Sequence, residues 1–214
     1  ALDGGPARLV LDAGGPRAGT LGDSARDDRV AALAAAHAPG VVTDPADGAA
    51  YFVEAFAPPV TVAIFGAGEV AVVLSRIARD LELRAVVVDA RERYATRARF
   101  PEAAEIRVGD PGRIAGELVA AGETYVVIVS HDYKYELPVL QAVLRAPVPY
   151  VGLMSSRRRG AALREMLAGE GFTAEELARI RTPIGLDIGA RTPAQVAVAI
   201  AAELVALRAG RAAS

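Results

Sequence analysis

Gly66, Gly68 and Ala71 stand at the spacing G-x-G-x-x-A, directly after the apolar run Val60–Phe65. The chemistry this offers is anion capture by backbone. Gly66 permits a tight turn out of a strand, Gly68 lets a pyrophosphate come close to the main chain, and the small Ala71 brings the next helix near the sheet. The first N–H groups of that helix lack intrahelical partners and point toward the anion with the positive end of the helix dipole. Ala67 and Glu69 complete the candidate turn. A second apolar run, Ala85–Val88, closes on Asp89 about twenty residues further on, where folds of this kind hydrogen-bond a ribose hydroxyl. The alternative is a glycine turn that merely packs tightly. If the turn holds the ligand, Gly68→Asp abolishes binding and leaves the fold intact.

Three more segments concentrate polar side chains. Ser130-His131-Asp132-Tyr133-Lys134-Tyr135 follows an apolar run. His131 could exchange protons near neutral pH or donate to an anion, or it could be a solvated loop residue; Asp132 reads as the cap of the next helix or as a ligand contact. Tyr133 and Lys134 are adjacent, so they do not supply the Tyr-x-x-x-Lys pair of short-chain dehydrogenases. In the second segment, Ser155, Ser156 and Arg157 join hydroxyls, helix N–H groups and a guanidinium, a set suited to an oxyanion. The alternative there is a basic helix face capped by Ser156, and Arg158 and Arg159 are expected in solvent. In the third, Gly185 and Gly189 bracket Asp187, whose carboxylate could bind hydroxyl or amine groups of a ligand or fix its own loop. No histidine or carboxylate spacing suits a metal, and no nucleophile elbow is present for a serine hydrolase.

These segments fall at the ends of strand-like runs, which places them on one architecture. From residue 60 onward apolar runs alternate with helical patterns, as expected for an α/β fold with a Rossmann-like parallel sheet and helices on both faces. The strands are read at Val60–Phe65, Ala85–Asp89, Glu105–Val108, Thr124–Ser130 and Val148–Leu153, in the order 3-2-1-4-5. Helices are read at Glu69–Leu81, Arg93–Arg99, Pro111–Ala121, Tyr135–Leu144 and Arg157–Ala168. Thr173 with Glu176, and Thr192 with Gln195, form capping boxes, the second for Ala194–Leu207. The binding crevice then lies at the carboxyl ends of the strands.

Residues 1–57 read as a small, partial α+β domain preceding the domain at 60–214. Its elements are a strand at Arg8–Leu11, a helix at Asp27–His37, and strands at Val41–Thr43 and Tyr51–Phe56 joined through Asp47-Gly48. Ala57-Pro58-Pro59 breaks the periodicity. With 214 residues, 52% of them apolar, the chain can bury a sizeable core. Its net charge of -2 argues against a nucleic-acid surface, and no apolar run approaches a membrane span. The sequence contains no cysteine, which excludes disulfides, thiolate metal sites and a persulfide carrier within it. A cytoplasmic address is expected, and homodimerisation is expected from the apolar character of residues 41–57.

Together these motifs resemble the xanthine dehydrogenase accessory protein family, the XdhC type. The matching pieces are Ile64-Phe-Gly-Ala-Gly-Glu69, Val88-Asp-Ala-Arg91 with Arg99-Phe-Pro101, Ser130-His-Asp132, Tyr150-Val-Gly-Leu153 with Ser156-Arg157, and Pro183-Ile-Gly-Leu-Asp-Ile-Gly-Ala190 before Thr192-Pro193 and Ala202-Glu-Leu204. The resemblance implies a maturation factor, without turnover chemistry of its own, that binds molybdenum cofactor (molybdopterin) and hands it to the apo-enzyme of a molybdenum hydroxylase. It implies sulfur supply by a cysteine desulfurase. It also places the cofactor phosphate or a nucleotide at Gly66–Gly68 and lines the same crevice with Asp89, His131, Ser156, Arg157 and Asp187. The sequence departs from the family where Gly19–Asp28 lacks the usual cysteine, and where Ser155 replaces an expected glycine. The residues alone also admit an NAD(P)-dependent oxidoreductase using Gly66, Gly68 and Asp89 with His131 or Lys134 as acid or base, or a nucleotide-binding scaffold.

Overall fold

The computed structural model describes residues 7–12, 17–37, 39–56 and 59–210, which fall into two compact units, Ala1–Pro58 and Pro59–Ser214. The boundary expected at Ala57-Pro58 lies outside the described residues.

In the first unit, strands β1 (Leu9–Val10) and β2 (Ala18–Gly19) pair antiparallel, helix α1 covers Ser24–Ala36, and β3 (Gly40–Thr43) pairs antiparallel with β4 (Ala50–Val53). Asp23 opens α1 by accepting from the Arg26 N–H at 2.9 Å. His37 is the residue just past the helix end. The β3–β4 turn closes on Asp47-Gly48 as the sequence suggests, with Gly48 at φ 75° and Ala49 N–H donating to Asp47. Leu21, Val30, Val42 and Tyr51 make a small core.

The second unit is built on one parallel sheet. In chain order it comprises β5 (Thr61–Phe65), α2 (Glu69–Asp80), β6 (Arg84–Asp89), β7 (Glu105–Val108), α3 (Pro111–Ala121), β8 (Thr124–Ile128), α4 (Tyr133–Val143), β9 (Tyr150–Leu153), α5 (Arg157–Gly169), α6 (Ala174–Ala178), β10 (Ile180–Arg181) and α7 (Pro193–Arg208). The strands lie in the order β7-β6-β5-β8-β9-β10, every neighbouring pair parallel. This is the doubly wound dinucleotide-fold order, with the reversal point between β5 and β8. The central strands are apolar on both faces because helices cover both. Ile64, Val87 and Val127 pack with Leu74, Ile200 and Leu204 on one side, and Phe65, Val86 and Ile128 pack with Ile114, Leu140 and Leu163 on the other.

Two expectations need correction. Residues 93–99 form no helix: Thr96 C=O accepts from Arg99 and Phe100, a turn separate from the one Arg91 C=O makes with Tyr94 and Ala95. Pro101 disfavours helical geometry at Phe100, and an isolated turn so short gains too little to nucleate a helix. The sheet also has a sixth strand. Two residues, Ile180 and Arg181, pair with Val151 and Gly152, too short a run to carry any periodicity in sequence.

Candidate functional site

The carboxyl ends of the strands hold two separate concavities. The smaller surrounds the glycine turn. Gly66 sits at φ 110°, and a Cβ there would lie 3.0 Å from the Ser130 backbone nitrogen, so glycine is needed to let β5 and β8 splay into their loops. Ala67, however, spends its N–H on Asp89 Oδ2 at 2.7 Å. Asp89 also accepts from the backbone N–H of Arg91 and from its guanidinium Nε and Nη2, each at 2.9 Å. Burial works to raise the Asp89 pKa, but the Arg91 side-chain bonds and the two backbone N–H groups outweigh it and hold the carboxyl below its ordinary range. Arg99 bonds Ala67 C=O and Glu69, both at 2.7 Å. Gly68 is the exposed residue preceding α2, with open space where a Cβ would stand. The cavity beside this turn is only about 20 Å³, lined by Gly66, Asp89, Arg91, Ser130 and Tyr135 among others. That is room for about one water.

The larger concavity, about 670 Å³, lies beyond the ends of β8, β9 and β10 and against α7. It gathers His131, Ser155, Ser156, Arg157 and Asp187 from three loops. Gly66, Ala67, Gly68, Glu69, Asp89 and Asp132 do not line it. Asp132 caps α4 by accepting from the Lys134 N–H at 3.0 Å. Ser156 caps α5 by accepting from Arg159 at 3.2 Å, which leaves the N–H groups of Arg157 and Arg158 at the helix mouth without intrahelical partners. Among the described residues, the side chains of His131, Arg157 and Asp187 have no hydrogen-bond or ion-pair partner.

The loop that carries Asp187 is fixed from below. Gly185, at φ 88°, packs so closely on α7 that a Cβ would meet the Ala199 carbonyl carbon at 2.9 Å. Leu186 N–H bonds Ala199 C=O at 3.2 Å, and Gly185 N–H bonds Glu203 Oε2 at 2.8 Å. Gly152 in β9 makes room for Ile184, whose Cγ1 would lie 2.7 Å from a Cβ there. The Thr182-Pro183 peptide within this loop is cis.

Several cleft residues were invisible as such in sequence. Arg159, expected in solvent, pairs with the fully buried Glu136 through bonds of 2.9 and 2.7 Å, and its guanidinium lies 4.3 Å from the centre of the Tyr133 ring. Burial raises the Glu136 pKa despite the opposing Arg159 charge. Glu203 accepts from Tyr150 Oη and faces Arg181 Nη1 at 3.5 Å. Burial, with the Glu203 charge beside it, drives the Tyr150 phenol far above its ordinary pKa, so it stays a donor. Glu203 did leave one signal: it is the only carboxylate in α7, set within the apolar run between Gln195 and Arg208. Met154, Pro183, Ile184 and Val196 supply apolar wall. Among the described residues no group of three or more His, Asp or Glu could hold a metal ion, and no helix is long and apolar enough to cross a membrane.

Comparison with known proteins agrees with this architecture. The chain is 27% identical over 157 residues to a probable xanthine dehydrogenase subunit from Bacillus subtilis (strain 168), covering 73% of this chain and 46% of that protein. It is 35% identical over 86 residues to the molybdenum cofactor insertion chaperone PaoD of Escherichia coli (strain K12), covering 40% of this chain and 27% of that protein. The crystal structure of a xanthine dehydrogenase from Bacillus halodurans superposes with a TM-score of 0.64 at 26% identity, over 72% of this chain and 44% of that one. The chain thus spans less than half the length of these relatives. Residues 62–204 match the family model described as the XdhC Rossmann domain. With that match running from β5 through α7, the chain belongs to the XdhC family of xanthine dehydrogenase accessory proteins.

Proposed function

We propose that this chain binds molybdenum cofactor in the larger cleft and delivers it to the apo-form of a molybdenum hydroxylase such as xanthine dehydrogenase. One observation carries the reading: Arg157, with no partner of its own, stands with two serine hydroxyls and free helix N–H groups in the same cleft as the unpaired Asp187. Molybdopterin carries a phosphate at one end and a polar pterin at the other. The cluster at Ser155, Ser156 and Arg157 offers hydrogen bonds and positive charge to the phosphate, and Asp187 offers an acceptor to ring N–H groups. A volume near 670 Å³ lies within the range of small-molecule sites. The phosphate end is assigned here rather than to Gly66–Gly68, because Ala67 N–H and Asp89 are already bonded within the protein.

No residue of the cleft is a nucleophile paired with a base, so the role of these side chains is to hold, orient and release. With no cysteine in the sequence, a sulfur-bearing cofactor would be held without a covalent bond, its sulfur coming from a separate cysteine desulfurase.

The experiment is retention. Molybdenum cofactor released from a molybdoenzyme is mixed with the purified protein and passed through gel filtration, and molybdenum and oxidised-pterin fluorescence are measured in the protein fraction, with NAD and NADP run in parallel. Near-stoichiometric retention of cofactor is the expected result. Retention of a dinucleotide alone would overturn the proposal in favour of an oxidoreductase, and retention of nothing would leave a scaffold.

A further inference from the structure

Glu203 is a carboxylate in an unusual position. It is 5% exposed, projects from α7, lines the cleft, and has one of its roughly four acceptor sites open, on Oε1. Oε2 accepts twice, from Tyr150 Oη and from Gly185 N–H. Oε1 has a single, long contact, 3.5 Å to Arg181 Nη1. A carboxylate oxygen can accept two hydrogen bonds, and an under-paired buried charge is costly. Arg181 also lines the cleft, and it is the more exposed member of the pair. The two therefore present an acceptor and a donor side by side, within a wall made apolar by Met154, Ile184 and Val196.

We infer that Glu203 and Arg181 read the edge of a heterocyclic lactam, Glu203 Oε1 accepting its ring or exocyclic N–H and Arg181 donating to the neighbouring ring carbonyl. A pterin or a guanine presents that edge. A planar ring lying against the apolar wall would exclude water from Oε1, so the discrimination would be against rings that cannot donate there: a site built to hydrogen-bond an N–H rejects analogues lacking it because its own buried acceptor is left unpaired. This assignment rests on the cofactor-binding reading, and it names which end of the cleft selects the ring. Arg157 and the two serines hold the anion, whatever carries it. Glu203 and Arg181 choose what is attached.

Separate probes divide the two ends. Neopterin, a pterin without phosphate, is titrated by its own fluorescence into a protein that contains no tryptophan. Inorganic phosphate is titrated independently by calorimetry. Glu203→Gln keeps an acceptor for Tyr150 and Gly185 but turns the second atom into a donor facing a donor. The expected result is at least a tenfold loss of neopterin affinity, with phosphate affinity and melting temperature near those of the parent. Arg181→Met, at an exposed strand end that tolerates change, is expected to weaken neopterin several-fold and leave phosphate alone. Neopterin bound by both variants as well as by the parent, or by none of the three, overturns the assignment, even where the parent retains molybdenum cofactor and the broader reading stands. A parent protein that retains neither cofactor nor neopterin overturns both together.

Discussion

Arg159 meets Glu136 through two parallel hydrogen bonds, Nη1 to Oε1 at 2.9 Å and Nη2 to Oε2 at 2.7 Å, fastening α5 to α4 at the wall of the cleft. The carboxylate is fully buried and the guanidinium is one-fifth exposed. Arg159→Ala would strand a buried charge, a loss of about 3 kcal/mol at neutral pH. Burial already raises the Glu136 pKa, so its contribution to stability is present below its unfolded value and is lost as pH rises through the folded one. Without Arg159 that pKa climbs further. The gap in melting temperature between parent and variant should therefore widen from pH 5 to pH 8, as followed by circular dichroism.

Asp89 has the opposite sign. Its pKa is held below the ordinary value, so its stabilisation is present above the unfolded pKa near 4 and drains away as pH falls through the folded one. Asp89→Asn should cost about 1–2 kcal/mol at pH 7, and the two melting curves should converge below about pH 4. Urea titrations at pH 7 and pH 3 check this.

Arg157→Glu reverses the charge at the mouth of α5 without breaking any contact of the parent. Stability should change by no more than about 0.5 kcal/mol, whereas cofactor retention in gel filtration should be lost. Ser156→Ala removes the cap that accepts from Arg159 and should lower stability by about 1 kcal/mol. Gly68→Asp, which the motif alone marks as fatal to binding, should leave retention intact, because Gly68 does not line the larger cleft.

Alanine at three glycines should separate loop, strand and open positions. Gly185→Ala drives a methyl into α7 at a φ that alanine rarely adopts, and Gly152→Ala drives one into Ile184 and Tyr150. Each should cost about 2 kcal/mol or more. Gly68→Ala meets nothing within 4 Å at φ -83° and, as an N-cap change, should cost about 1 kcal/mol or less. Thermal melts of the three variants make the comparison.

The fold was legible where local chemistry and hydrophobic pattern agree. Pro111 at a helix start and the Thr192–Gln195 box gave element boundaries within a residue or two, since each signal is local: the fixed φ of proline suits a first turn, and the side chains of the box bond backbone N–H groups three residues away. The cleft was half legible. Ser155, Ser156, Arg157, His131 and Asp187 stood out as polar residues at strand ends, but the pairing of Asp89 with Ala67 and Arg91 depends on how β5 and β6 are aligned and the loop folded back. A motif cannot report whether its donors are already taken. Arg159 and Glu203 were missed for a related reason: their partners, Glu136 and Tyr150, lie 23 and 53 residues away.

The loop of residues 182–191 is seated in its place by Glu203, Ala199 and the missing side chains of Gly152 and Gly185. Residues 184–186 are therefore ordered by the fold itself, by contacts to α7 and β9 that involve no ligand. A preorganised cleft of this kind needs no closing motion before capture. On the proposed reading, encounter should proceed at a rate set by diffusion and by the charge of Arg157, with the lifetime of the complex, rather than the speed of its formation, setting how long a ligand is kept.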